Sequence, residues 1–170
     1  MKHTNQRGFT LIEMLVVIAI IGILAAVVFA SFGEARKNAR DKARMSDLGQ
    51  IHLALKLYQQ ENGHYPRQND GFSGGNTGRI CATCTGPINT VIENYLGDRP
   101  VDPIDNNTYN YYYDGRQGCG GNPAQAVVAI RTLENTSDSN VNDTICTSWD
   151  GEGGIGSAGS YMIVLGRSDG

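Results

Sequence analysis

The hydrophobic pattern of this chain begins with an almost unbroken apolar run, Phe9–Phe32, in which Glu13 is the only charged residue. As a helix rising 1.5 Å per residue, the run would be roughly 36 Å long, enough to cross a hydrocarbon core of roughly 30 Å. The apolar core of a secretory signal peptide is shorter, about 7–15 residues. The pattern therefore predicts a transmembrane helix over residues 9–32, with a carboxylate near its N-terminal end.

The pattern then becomes amphipathic over residues 33–62, where apolar side chains recur at steps of three to five. This spacing predicts that the same helix continues with one buried face. The helix is expected to end at Asn62-Gly63, with Pro66 shortly after. The predicted buried stripe consists of Ala35, Ala39, Ala43, Leu48, Ile51, Ala54, Leu55 and Tyr58.

Charged side chains fill much of the opposite face of this second half. We interpret them as a solvated surface, and the alternative is that they form specific pairs between subunits. The residues concerned include Arg36, Lys37, Arg40, Asp41 and Arg44.

Residues 63–170 are rich in glycine and are predicted to form a globular head with many turns. Residues 67–86 are polar and are read as a loop. A short helix is expected to begin at Pro87 and to end before Gly97. An extended segment over residues 99–103 should follow it.

Three stretches of the head have strand-like composition, Tyr109–Tyr113, Gln125–Leu133 and Tyr161–Leu165, with a turn at residues 120–123. Short connections between sequential strands favour an antiparallel meander. Its apolar face needs a partner, and the stripe of the 33–62 helix is available. The predicted fold class is therefore α+β, with a long N-terminal helix packed on a small antiparallel sheet.

The residues that precede the apolar run form a short basic leader, residues 1–8, and the junction reads Gly8-Phe9-Thr10-Leu11-Ile12-Glu13. This sequence resembles the class III signal of type IV pilins and pseudopilins, and the resemblance implies the pilin fold. It also implies that a prepilin peptidase cuts between Gly8 and Phe9 and methylates the new amino terminus. Glu13 then becomes the fifth residue of the mature protein.

Glu13 is costly in a membrane, because an ionised side chain at the centre of a membrane helix costs roughly 2.5–3.5 kcal/mol and less near an end. A buried carboxylate needs a positive partner. The freed amine of Phe9 is the nearby cation of the mature chain. We therefore hypothesise that Glu13 pairs with the Phe9 amine of a neighbouring subunit, and the alternative is that Glu13 only reaches the membrane edge.

Two further stretches resemble pseudopilins of type II secretion systems and related pilins. The helix end at residues 58–66 is similar to theirs, and so is the pattern Tyr95-Leu96…Pro100-Val101-Asp102-Pro103…Tyr109…Tyr111, which resembles the major pseudopilin. Two positions depart from the family pattern. Ala30 stands where many members have a proline, and Ile104 stands where a tryptophan often follows the Asp-Pro pair.

The charge balance is acidic, with 14 Lys and Arg against 17 Asp and Glu, a formal net charge of −3. Loss of Lys2 and Arg7 with the leader would make the mature charge −5. Nucleic-acid binding is not expected, because it relies on Lys and Arg contacts to phosphate. The excess of Lys and Arg after the apolar run would by itself place the head in the cytoplasm. The leader motif implies the opposite orientation, an exported head, and we follow the motif.

The head contains four cysteines, Cys81, Cys84, Cys119 and Cys146. An even number in an exported domain predicts disulfides. We favour the pairs Cys81–Cys84 and Cys119–Cys146 among the three connectivities. A zinc site is the alternative, since Cys81-Ala82-Thr83-Cys84 is half of a zinc knuckle.

No cofactor is expected, although calcium is considered because related pseudopilins bind it through a head loop. The spacing of Asp138, Asn140 and Asn142, with Asp143 beside them, is that of a calcium loop that lacks its glycine and its final glutamate. Asp102 and Asp105 are further candidates, and residues 165–170 resemble the start of the pseudopilin calcium loop. No phosphate-binding loop, nucleophile elbow or zinc-protease motif is present, so the chain is not expected to be an enzyme.

The sequence thus predicts a structural subunit of a type IV pilus-like filament that polymerises with itself through its N-terminal helix. The alternative is a major-type pseudopilin of a type II secretion system, and a membrane-anchored binding protein that never polymerises is a third reading. The resemblance implies a prepilin peptidase and methyltransferase, an assembly platform and an ATPase as partners. It also implies insertion in the inner or cytoplasmic membrane, followed by incorporation in a filament outside the cytoplasm.

Overall fold

The computed structural model of the chain describes residues 9–67, 78–115, 125–140 and 159–167. The elements are helix α1 (Leu11–Asn62), strand β1 (Arg79–Ile80), helix α2 (Pro87–Leu96), strands β2 (Tyr111–Asp114) and β3 (Gln125–Ile130), a 3₁₀ turn (Thr136–Asp138) and strand β4 (Tyr161–Arg167). The predicted α+β class is confirmed. The chain divides into two compact units, Met1–Lys37 and Asn38–Gly170.

The first unit contains the N-terminal part of α1. Its length and composition are sufficient for a membrane span. The large apolar side chains between Phe9 and Phe32 are from 48% to 87% exposed. This part of the helix therefore has no apolar packing of its own and needs a surrounding that covers it.

The end of α1 lies at the predicted position. Gly63 adopts a φ of +79°, a left-handed conformation that glycine enters without a steric penalty. Its N–H donates to the Gln59 carbonyl at 2.8 Å, and the Asn62 side chain donates to the Tyr58 carbonyl at 2.9 Å. These bonds satisfy carbonyls that the helix end would otherwise leave open.

The four strands form one antiparallel sheet in the order β1-β2-β3-β4, so the predicted meander is confirmed. Tyr111 pairs with Ile80 on one side and with Ile130 on the other. Val128 pairs with Tyr113 of β2 and with Ile163 of β4. The alternation of buried residues along β2 follows from the two-residue period of a strand.

The strand boundaries differ from the predicted ones at several points. β1 lies within residues 67–86, which the sequence predicts as a loop. β2 begins at Tyr111 instead of Tyr109, because the Tyr109 carbonyl accepts the Asn106 N–H in a turn that precedes the strand. β3 ends at Ile130 instead of Leu133, because its partner β2 begins at Tyr111, which pairs with Ile130. β4 continues two residues beyond the predicted end. The predicted turn at 120–123 lies outside the described residues.

The core of the second unit forms where α1, α2 and the sheet meet. Leu48, Ile51 and Leu55 of α1 are fully buried. They belong to one cluster with Ile88 and Ile92 of α2 and with sheet residues that include Ile80, Tyr111, Tyr113, Val128 and Ile130. The predicted packing of the 33–62 helix on the sheet is therefore present in this part of the chain.

The predicted stripe is wrong at its N-terminal end. Ala39 and Ala43 are exposed, as is Ala35 in the first unit, and Asp41 and Arg44 are fully buried. The spacing explains the difference. Positions 41, 44, 48, 51 and 55 follow steps of three and four and share one helix face, whereas the alanines lie on a neighbouring face.

Helix α2 begins and ends as predicted. Pro87 occupies the first helical position, where its missing N–H costs nothing. Gly97 ends the helix with a φ of 78° and donates its N–H to the Glu93 carbonyl. The side chain of Asn89 donates to the Arg79 carbonyl at 2.9 Å, which connects α2 to β1.

Candidate functional site

The N-terminal end of α1 contains a reciprocal pair of bonds between Thr10 and Glu13. The Thr10 N–H and hydroxyl donate to Glu13 Oε2 at 2.8 and 2.7 Å, and the Glu13 N–H donates to Thr10 Oγ1 at 3.3 Å. This arrangement is a capping box, which satisfies orphan donors at a helix start. Gly8 lies outside the described residues, and Phe9 is 80% exposed.

The capping box uses one carboxylate oxygen of Glu13 and leaves the other oriented away from these donors. Within the described part of the chain, Glu13 Oε1 accepts no hydrogen bond and has no cation near it. The arrangement can therefore hold the carboxylate in place at the helix start while one oxygen stays open to a donor from outside the chain. The hypothesised partner, a Phe9 amine of another subunit, would be such a donor.

The second notable feature is a group of five ionisable side chains, which we call the Arg44 cluster: Arg40, Asp41, Arg44, Asp102 and Glu134. Arg44 donates to Asp102 through Nε at 2.7 Å and through Nη2 at 3.1 Å. Its Nη1 donates to Asp41 Oδ1 at 2.7 Å and to Glu134 Oε1 at 2.9 Å. Arg40 makes a two-point contact with the same glutamate. Arg44 and Asp41 are fully buried, and Glu134 is 8% exposed.

The cluster connects α1 to two loops of the head. Asp41 also accepts the N–H groups of Glu134 and Asn135, at 3.1 and 2.7 Å. Asp102 accepts the Ile104 N–H at 2.8 Å, which closes a turn around its own carboxylate. The residues after β3 and the extended segment after α2 are therefore both anchored on one helix face.

The ionisation of these groups follows from their contacts. Burial opposes the charge of Arg44, but its bonds to three carboxylates outweigh burial and raise its pKa. The bond to Glu134 raises the pKa of Arg40. In turn, Arg40 and then Arg44 lower the pKa of Glu134 to about 2. Arg40, Arg44 and Glu134 are therefore ionised at neutral pH.

The interpretation of this helix face as solvated is thus wrong for Asp41 and Arg44, because both side chains are fully buried against segments of the head. Lys42 fits the interpretation, since its side chain is 69% exposed and only 3.4 Å from Asp138. One sequence signal was available. Asp41 and Arg44 are three residues apart, as helical ion pairs often are, and they continue the register of Leu48 and Ile51.

A second polar pair lies next to this cluster. The Tyr111 hydroxyl donates to Asp47 Oδ2 at 2.6 Å. Burial and then the Asp47 carboxylate raise the pKa of Tyr111, and burial raises the pKa of Asp47. The ring of Tyr109 lies 4.7 Å from the Arg44 guanidinium, in cation–π contact.

The cysteine motif forms a disulfide-closed loop. Cys81 and Cys84 are bonded to each other, as in the favoured connectivity. The loop contacts Arg99 and Asp105 on the segment that carries Asp102. Cys119 and Cys146 lie outside the described residues.

The residues considered for calcium are only partly described. Asn140 bonds through its amide to the backbone of Met162, at 2.7 and 2.8 Å, so it serves the start of β4. Asp138 faces Lys42, and Asp102 is held by Arg44. Asn142 and Asp143 lie outside the described residues. Within the described ranges, no three His, Cys, Asp or Glu side chains converge as metal ligands would. The expectation of no cofactor, with calcium as the alternative, stays untested.

Comparison with known proteins gives two family matches. Residues 3–29 match the prokaryotic N-terminal methylation motif, and residues 31–121 match the family described as type II secretion system protein G. No solved structure gives a significant match to the chain.

Several curated proteins named type II secretion system core protein G are similar to the chain. The protein of Escherichia coli K12 is 36% identical over 62% of this chain and 72% of its own length. That of Pseudomonas aeruginosa is 35% identical over 69% and 81%, and that of Vibrio cholerae is 31% identical over 69% and 77%. These matches favour the secretion-system alternative over the pilus reading.

Proposed function

The chain belongs to the type II secretion system protein G family, and from that premise we propose that it is a major-type pseudopilin, a filament subunit of a secretion system. As a structural member of this family it is not an enzyme, as the sequence predicted. The relatives support this secretion-system alternative better than the prediction of a type IV pilus-like filament.

The observation that carries the proposal is the exposed apolar run with its one carboxylate. Side chains from Phe9 to Phe32 that are 48% to 87% exposed cannot remain in water. A membrane covers them before assembly, and the equivalent helices of other copies cover them in a filament. A plain membrane anchor needs no charge, so Glu13 favours the filament.

Glu13 then sets how the copies meet. In a helical array, Glu13 Oε1 accepts a hydrogen bond from the methylated amine of a neighbouring Phe9. One such pair forms between each subunit and the next. Because an unpaired carboxylate is costly between apolar helices, subunits out of register are disfavoured. Thr10 holds the carboxylate in place through the capping box.

We propose that the head is exported and the apolar run stays in the inner or cytoplasmic membrane until assembly. The leader motif supports this orientation. The Cys81–Cys84 disulfide supports it as well, because disulfides persist outside the reducing cytoplasm. A prepilin peptidase with methyltransferase activity, an assembly platform and its ATPase are the partners that this route requires.

The decisive experiment measures the mass of the N-terminal peptide in sheared surface material and in membranes of cells that express the chain. A peptide that begins at methylated Phe9 and stays with the membranes is the expected result. The same peptide in sheared surface material would instead establish an extended pilus. An intact leader in wild type would refute the proposal, and Gly8→Ala serves as the unprocessed control.

The polymerisation step is tested with Glu13→Ala, which keeps the cleavage site. We expect processing at the wild-type level and loss of cross-linked multimers. Glu34→Ala is the matched control, since Glu34 is an exposed glutamate on the same helix and pairs with Lys37, its helical neighbour. Wild-type multimers in the Glu13 variant would refute the pairing.

A further inference from the structure

The disulfide loop is built into the hydrogen bonding of the head. Cys81 directly follows β1, and the Cys84 N–H returns to the Cys81 carbonyl at 3.1 Å. This turn aims two carbonyls at one guanidinium: Arg99 donates to the Ala82 carbonyl at 2.8 Å and to the Cys84 carbonyl at 2.6 Å. The turn therefore places two loop carbonyls where both accept hydrogen bonds from Arg99.

The same loop also holds the other end of the segment that starts at Arg99. The Ala82 N–H donates to Asp105 Oδ2 at 3.0 Å. Asp105 has a φ of +44°, a left-handed conformation that is unfavourable for a residue with a side chain. A bond that holds this residue therefore contributes directly to the shape of the turn.

Arg99 and Asp105 lie three residues before and three residues after Asp102. Asp102 makes the two-point contact with buried Arg44 and accepts the Ile104 N–H. The loop thus bonds both ends of the 99–105 segment, and the middle residue of the segment, Asp102, bonds α1. Any loosening of the loop would be transmitted to Asp102 through the two bonds of Arg99 and the bond to Asp105.

We propose that Cys81 and Cys84 form a redox-modification site, and that their oxidation fixes the 99–105 segment so that Asp102 is held on Arg44. The head then reaches its final form only after the pair is oxidised. This role does not require polymerisation. It rests on the proposed function only in that export of the head brings the cysteines to the oxidant.

The oxidant is a disulfide of the thiol–disulfide oxidoreductase class. The thiolate of one cysteine attacks the oxidant disulfide and releases one of its thiols. The second cysteine thiolate then attacks the mixed disulfide and releases the other. The pair loses two electrons and two protons, one Sγ–Sγ bond forms, and the oxidant leaves as a dithiol. Cys84 is the half-buried partner and Cys81 is 4% exposed, so Cys84 is the accessible site of exchange.

Closing so small a ring has a modest effect on global stability. The loop-entropy relation gives roughly a 20-fold change in the folding equilibrium for four residues. The local effect should be distinguishable from this global one. Amides held by the loop and by the Asp102 turn, those of Ala82, Ile104 and Asp105, should lose more protection than amides in β3 and β4.

The test is hydrogen–deuterium exchange of the full-length chain in detergent, comparing the oxidised wild type with Cys81→Ser/Cys84→Ser. We expect exchange at Ala82, Ile104 and Asp105 to accelerate well beyond the roughly 20-fold that the loss of global stability can give amides in β3 and β4. Wild type treated with a phosphine reductant makes the comparison without substitution, and the double variant treated in the same way controls for reduction at Cys119 and Cys146. Equal acceleration at all sites, or none at Ile104 and Asp105, would overturn the proposal.

The role of Arg99 is tested with the disulfide intact. Arg99→Ala should speed exchange at Ile104 and Asp105 as the double cysteine variant does. Arg131→Ala is the matched control, because Arg131 is another head arginine whose guanidinium donates to a carbonyl, that of Asn107, and not to the loop. If Arg99→Ala left both amides protected, the coupling from loop to segment would be refuted.

Discussion

Replacement of Arg44 by methionine tests whether the Arg44 cluster holds the head together. Methionine keeps much of the length of the side chain and removes the charge and all donors. Asp41 and Asp102 are then buried without the cation that bonds them, and Glu134 keeps only Arg40. The variant therefore isolates the ionic contacts from the packing of the chain.

The expected cost follows from burial. Arg44 makes four hydrogen bonds to three carboxylates, and the side chains of Arg44, Asp41 and Asp102 are each 0% exposed. Removing one partner of a buried ion pair costs about 3–5 kcal/mol, because the remaining charge stays desolvated. A domain is stable by only about 5–15 kcal/mol, so the loss is a large part of the total. We therefore expect the free energy of unfolding to fall by about 3–5 kcal/mol in Arg44→Met.

The assay is urea unfolding of the full-length chain in detergent, followed by near-ultraviolet circular dichroism of the buried tyrosines. Lys42→Met is the matched control, since it removes a cation from the same helix whose side chain is 69% exposed and whose ion pair is 3.4 Å long. It should change the free energy of unfolding by less than about 1 kcal/mol. If Arg44→Met cost no more than this control, desolvation and pairing would cancel and the cluster would not stabilise the head.

Two further predictions use the same unfolding assay. Because the folded-state pKa of Glu134 is lowered to about 2 from an ordinary 4.5, this group stabilises the head above pH 4.5 and progressively less as the pH falls towards 2. Glu134→Gln should therefore reduce the loss of stability between pH 7 and pH 3, and an unchanged pH profile would contradict the assignment. Gly78→Ala should cost about 1–3 kcal/mol, because the new Cβ would lie 2.0 Å from the Tyr113 carbonyl oxygen. Its control, Gly49→Ala, meets nothing within 4 Å in a helix and should stabilise the protein, so equal effects would refute the steric reasoning.

The elements that could be predicted from sequence are those with local signals. The end of α1 follows from Asn62-Gly63, and α2 follows from Pro87 and Gly97, because each signal acts within one helical turn. β1 has two residues and no pattern of its own. It exists because Arg79 and Ile80 pair with Tyr112 and Tyr111. Such a strand depends on long-range pairing and cannot be identified from its own composition.

The same distinction holds for the functional features. Glu13 can be singled out from the sequence, since a lone carboxylate is visible in the apolar run itself, and its role in assembly stays a prediction. Arg44 was misassigned, because its partners Asp102 and Glu134 are 58 and 90 residues away in the chain. One sequence does not show that two distant carboxylates meet one arginine. The burial of a charge depends on tertiary packing that local patterns do not contain.

The residues after the family match complete both the sheet and the cluster. The match covers residues 31–121, which include Arg44 and Asp102. β3, β4 and Glu134 follow it. Glu134 bonds both Arg40 and Arg44. Without it, Arg40 would lose its two-point contact, and Arg44 would keep its bonds to Asp41 and Asp102. The C-terminal part therefore supplies the carboxylate that holds Arg40, and a change that removes this carboxylate would lose that contact between α1 and the head.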